Sequence, residues 1–161
     1  MIEKKGQFEK INKYNGNFSL TKEEEKFLNE EILKGKFTPT SSFKGVEKIV
    51  FETTKIPTDI LKKIKEIKGE DIIIDAFIIL KIKAKEKEEF GIPIHLHDKN
   101  EEVYFGGDNG TVILLNNSGK EIGEFELNKN TFTTVSAGEQ HGIKSQGKEI
   151  ILFAVIFNSK K

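Results

Sequence analysis

The chain has 161 residues, the size of one domain with one hydrophobic core. Its 26 basic residues, every one a lysine, balance 26 acidic residues, so no net field gathers nucleic acid or an anionic membrane. With no cysteine there is no disulfide or thiol chemistry, and without arginine an anionic substrate has to be held by lysine, backbone amides or a metal.

The lysines near Met1 are not followed by an apolar stretch, and the longest apolar cluster, Ala76 to Leu80, is far too short to span a bilayer. A soluble, cytoplasmic protein is expected. Residues 1 to 20 are polar with scattered aromatics at Phe8, Tyr14 and Phe18, and read as an arm that docks on the body or on a second subunit. Thr21 and Glu24 form a capping-box pattern, and Glu23, Glu24 and Glu25 suit the positive end of a helix dipole. That cluster reads as a solvated helix start. Phe27, Leu28, Ile32 and Leu33 make the apolar stripe of this helix, which ends before Gly35.

A turn is expected around Pro39 and a strand over Val46 to Thr54. Pro57-Thr58-Asp59 then opens a second helix, with Ile60, Leu61, Ile64 and Ile67 inward and Lys62, Lys63, Lys65 and Lys68 mostly toward water. Asp71 to Lys85 is an isoleucine-rich strand, apolar on both faces in its first part. Past a charged loop at Glu86 to Glu89, short strands repeat at close spacing: Glu102 to Phe105, Thr111 to Leu115, Ile122 to Leu127, Phe132 to Val135 and Ile150 to Phe157. Asp108-Asn109-Gly110, Asn116 to Gly119, Asn128 to Asn130 and Ser145 to Gly147 supply turns with residues that tolerate positive φ. Many short strands with no helices between them mean a mainly β fold, an antiparallel sandwich or barrel. The expected division is 1–70, an arm, two short helices and a strand packing on the barrel, and 71–161, the barrel core.

The residues that carry chemistry lie in Ile94-His95-Leu96-His97, Glu101-Glu102-Val103-Tyr104-Phe105 and Ser136-Ala137-Gly138-Glu139-Gln140-His141. In an extended strand His95 and His97 point to one face, with roots about 7 Å apart, which suits two ligands on one ion. Glu101 and Glu102 face opposite sides. Glu102 is preferred as the carboxylate, since it shares a face with Tyr104 while Val103 and Phe105 pack outward. Three imidazoles and a carboxylate suit a borderline divalent ion such as iron(II), manganese, nickel, cobalt or zinc. All three histidines of the chain fall on this pattern.

His95, His97 and Glu102 followed by the Gly106 to Gly110 turn, and later Ser136-x-Gly138-x-x-His141, resemble the two short motifs of the cupin family, with Ser136 where the family usually has proline. The resemblance covers about residues 71 to 157 and implies a jelly-roll barrel with His95, His97, Glu102 and His141 on a metal in its mouth. Glu102-Val103-Tyr104-Phe105, a glycine turn and Leu114-Leu115 are similar to the sugar-isomerase branch. There the metal orients hydroxyl and carbonyl oxygens while a base moves a proton. That likeness implies a metal-dependent enzyme acting on a polar, oxygen-chelating metabolite, with Tyr104 bonding substrate and Glu101 or Glu139 as the base. The resemblance also allows a non-haem iron dioxygenase or a non-catalytic, small-molecule-binding cupin. It implies a homodimer that pairs edge strands or exchanges arms.

Overall fold

The computed structural model of the chain describes residues 8–10, 14–40, 43–51, 58–68, 72–83, 89–97 and 99–159, with the single positions 54, 56 and 86. Pro57, Asp71, Ala84 and Lys85, expected at the ends of elements, lie outside the described residues. The elements are β1 (Phe8–Lys10), β2 (Asn15–Phe18), α1 (Lys22–Leu33), β3 (Thr38–Pro39), β4 (Val46–Phe51), α2 (Thr58–Lys68), β5 (Ile72–Ile82) and β6 (Phe90–Leu96). They continue through β7 (Glu101–Gly106), β8 (Gly110–Leu115), β9 (Glu121–Leu127), β10 (Thr131–Val135), β11 (Gln140–Lys144) and β12 (Ile150–Ser159).

The strands form two antiparallel sheets, one in the order β1-β2-β10-β7-β12-β5-β4-β3 and the other β6-β11-β8-β9. Alternation along the central strands separates two cores. On β7 and β12, Tyr104, Leu152 and Ala154 point between the sheets with Val46, Ile82, Val112, Leu114 and Ile143. Val103, Phe105, Phe153, Val155 and Phe157 point the other way, where they pack with Leu28 of α1 and Ile60 and Ile64 of α2. Val103 and Phe105 are therefore outward of the barrel as expected but fully buried, because the helices roof that face. The resulting three layers explain why β12 is apolar on both sides.

Helix α1 starts as its sequence dictates. Thr21 N donates to Glu24 Oε1 at 2.8 Å and Glu24 N donates to Thr21 Oγ1 at 3.1 Å, closing the capping box. Gly35, at φ 63°, takes the left-handed conformation just past the helix end. Three expectations fail here. Glu24 is 5% exposed rather than solvated, and Lys63 of α2 is 6% exposed rather than on a polar face. Lys63 Nζ donates to Glu24 Oε1 at 3.0 Å and to Ser19 O at 3.3 Å, and lies 5.3 Å from the centre of the Phe18 ring. One ion pair thus ties α2 to α1 and to the segment leading into it. Leu33, assigned to the apolar stripe, is 84% exposed at the last helical residue.

The arm docks on its own chain: β2 pairs with β10, and β1 pairs with β2. Thr38–Pro39, expected as a turn, is a two-residue edge strand beside β4. Pro93 sits inside β6, which an edge strand tolerates because no partner needs the missing N–H. Of the four turns, Gly119, Gln146 and Gly147 adopt positive φ. The other two do not. Asp108 Oδ2 instead accepts from Ile151 N at 2.8 Å, and Asn128 Oδ1 accepts from Asn130 N at 2.7 Å.

Candidate metal centre

Two neighbouring strands and one strand of the opposite sheet deliver the four donors. In the four-stranded sheet His95 of β6 pairs directly with His141 of β11, and their rings lie 4.2 Å apart. The β6–β11 register shifts so that Pro93 and Ile94 have no direct partner on β11, a bulge that re-aims the strand next to the site. His97 follows β6. Its carbonyl accepts from Gly138 N at 2.8 Å, so the turn before His141 is fastened to the residue it must meet. Glu102 comes across from β7, held between Val135 of β10 and Ile156 of β12. Donor atoms of His95, His97, Glu102 and His141 all lie within 4.8 Å of one another.

Glu102 is the electrostatic hub, 4% exposed, with Oε1 2.6 Å from His97 Nε2 and 3.5 Å from His141 Nε2. Burial by itself would raise its pKa. The close His141 imidazole, the hydrogen bond from His97 and the Tyr104 hydroxyl together outweigh burial and hold it well below the usual carboxylate range. The hydrogen bond to Glu102 raises the His97 pKa, whereas burial lowers that of His95 despite its bond to Pro93. Burial, the Glu102 charge and the bond to Glu102 push the Tyr104 hydroxyl far up, so it stays a donor.

The set fits a divalent ion. His95 Nδ1–H donates to Pro93 O at 2.8 Å, which fixes the tautomer whose Nε2 lone pair is free to ligate. His141 Nε2 is wholly buried and has no hydrogen-bond partner among the described residues, a cost that a bound ion would remove. Ligand bonds of about 2.1 Å place donors about 3.0 to 4.2 Å apart around an octahedral ion, so the widest separations contract slightly and the 2.6 Å His97–Glu102 contact opens slightly. The four residues can hold a metal.

No protein-family profile and no curated protein matches the chain. Solved structures do. The non-heme alpha ketoglutarate dependent epimerase SnoN from nogalamycin biosynthesis superposes with a TM-score of 0.62 at 9% identity, over 90% of this chain and 78% of that one. The architecture is a cupin barrel. The coconut allergen cocosin shares it at a TM-score of 0.50 and 10% identity, over 76% of this chain and 28% of its own. The Lactobacillus farciminis oxalate decarboxylase is 16% identical with a TM-score of 0.49 over 80% of this chain, which spans 32% of its length.

Within the cupin barrel the other expected site residues separate. Tyr104 lines the cavity beside the histidines but spends its hydroxyl on Glu102, so it orients the carboxylate. Glu101 begins β7 on the face opposite Glu102, by strand alternation. The Glu139 carboxylate accepts from Ser136 N at 2.8 Å, closing the turn that carries His141. This explains Ser136 in place of the usual proline, because proline has no N–H to give. Neither Glu101 nor Glu139 lines the cavity.

Gly138, at φ 83° with open space around its Cα, is required by backbone angle alone. Gly138→Ala is expected to lower stability by about 1–2 kcal/mol in urea unfolding.

Residues that the sequence reading passed over form the rest of the cavity, about 140 Å³ in volume. Ile78, Leu80, Ala154 and Ile156 make one wall, while Thr40, Phe43, Lys48 and Ile92 complete it. The available signal was Glu47-Lys48, two charges adjacent in a strand, of which one must face inward.

Proposed function

We propose that the chain is a metal-dependent enzyme acting on a small metabolite that chelates the ion through adjacent oxygens, with sugar-isomerase-like or epimerase-like chemistry. The observation that carries this is the buried, unpartnered His141 Nε2, facing Glu102 and two further imidazoles beside a cavity. Four protein donors leave two positions of a six-coordinate ion for substrate. Such an ion supplies Lewis acidity to a bound oxygen. The chain's own residues do the rest: Pro93 orients His95, Tyr104 holds Glu102, and Ile78, Leu80 and Ile156 line the cavity beside them.

A non-haem iron dioxygenase is the second reading, supported by the same donor set and by the likeness to SnoN, itself a non-heme, alpha ketoglutarate dependent epimerase. A binding protein without turnover is the third. The test is to incubate manganese-, iron- or cobalt-loaded protein with hydroxy acids and sugars in D₂O, with and without oxygen, and follow the substrate by NMR. Deuterium entering the carbon next to the carbonyl without oxygen is the expected result. Turnover that requires oxygen would move the assignment to the dioxygenase, and none in either atmosphere to the binding protein.

A further inference from the structure

Resting on that reading of the metal centre, we infer that the cavity takes a small carboxylate with an apolar body, and that Lys48 is the group that binds its charge. Lys48 lies in the middle of β4, paired with Leu80 of β5. Val46, two residues earlier and on the same face, belongs to the core between the sheets, whereas Ile49 and Phe51 pack under the helices. Strand alternation therefore turns Lys48 into the barrel, where it lines the same cavity as His95, His97 and Glu102. Its ammonium has no hydrogen-bond or ion-pair partner among the described residues. Lys48 is half-buried, and an anion in the cavity would pair with its ammonium.

The charges agree. Among the described residues that line the cavity, Glu102 is the anionic one opposing a divalent ion and an ammonium, which leaves a positive excess that an anionic ligand neutralises. The chain contains no arginine, so this role falls to a lysine. The remaining surface selects the body of the ligand. Ile78, Leu80 and Ile156 offer no hydrogen bond. The Thr40 hydroxyl is engaged with Phe43 O at 2.8 Å, and that of Tyr104 with Glu102. Of the chelating metabolites that reading allows, a polyhydroxylated sugar would leave hydroxyls unpaired against this wall, whereas a hydroxy acid with a short aliphatic chain loses nothing there. A volume of about 140 Å³ is below the roughly 300–1,000 Å³ of drug-sized pockets and sets a small ligand.

The test titrates cobalt(II)-loaded parent, Lys48→Met and Lys48→Arg with 2-hydroxy-3-methylbutanoate and with its uncharged primary amide. Cobalt's visible spectrum reports metal uptake and calorimetry reports ligand affinity. Lys48→Met should load cobalt as the parent does yet bind the carboxylate about 10- to 100-fold more weakly, the worth of one charged hydrogen bond. Lys48→Arg should recover most of the loss, and the amide should bind parent and Lys48→Met alike. Unchanged carboxylate affinity in cobalt-loaded Lys48→Met overturns the inference, as does an amide that binds the parent as tightly as the acid, or no carboxylate binding by the loaded parent. A parent that takes up no cobalt overturns the metal reading itself, and this inference falls with it.

Discussion

Lys63→Ala is expected to destabilise the protein by about 3–5 kcal/mol, because it leaves the Glu24 carboxylate buried and charged with no cation beside it. Glu24 cannot turn to water, since its Oε1 also accepts from Thr21 N in the capping box, and its Oε2 is already buried without a partner. The double variant Lys63→Met, Glu24→Gln removes both charges, keeps the amide oxygen at the capping position and keeps an unbranched side chain of similar length at position 63. It should regain most of the loss. Urea midpoints of the three proteins read the cycle, and a single variant within about 1 kcal/mol of the parent would show that the pair contributes little.

That ion pair also marks what the sequence conceals. Both ends of α1 are legible, because Thr21, Glu24 and Gly35 act through neighbours three or four residues away. The fate of Glu24 is not, because its partner lies on another helix and arrives only through packing. Likewise Val103 and Phe105 are correctly read as opposite to Glu102 and Tyr104, but local alternation does not say that two helices cover them. The metal cluster is more legible than most sites, since His95 and His97 are fixed by a period of two and His141 is the only other histidine. The cavity wall, by contrast, is drawn from β4, β5, β6, β7 and β12. Lys48 meets His95 only through strand pairing and the facing of two sheets, and neither is encoded in a short motif.

Glu102→Gln is expected to weaken metal binding by more than about 100-fold while leaving the barrel folded, because it removes the anionic donor and keeps the side chain's shape. Tyr104→Phe should have a smaller effect, about 10- to 100-fold, through the lost hydroxyl that orients Glu102. The order of the two is the informative part. A Tyr104→Phe loss equal to that of Glu102→Gln would mean that the carboxylate reaches the ion only when tyrosine holds it. Competition titrations against a chromophoric chelator, with circular dichroism as the fold control, measure both.

The most direct measurement is elemental analysis of the protein purified without chelators, beside the variant His95→Ala, His141→Ala. The cluster predicts about one divalent ion per chain in the parent and none in the variant, since two of four donors are gone and those that remain lie on different elements. Equal metal content in the two proteins, or none in the parent after reconstitution with iron, manganese, nickel, cobalt or zinc, would contradict a metal centre at His95, His97, Glu102 and His141.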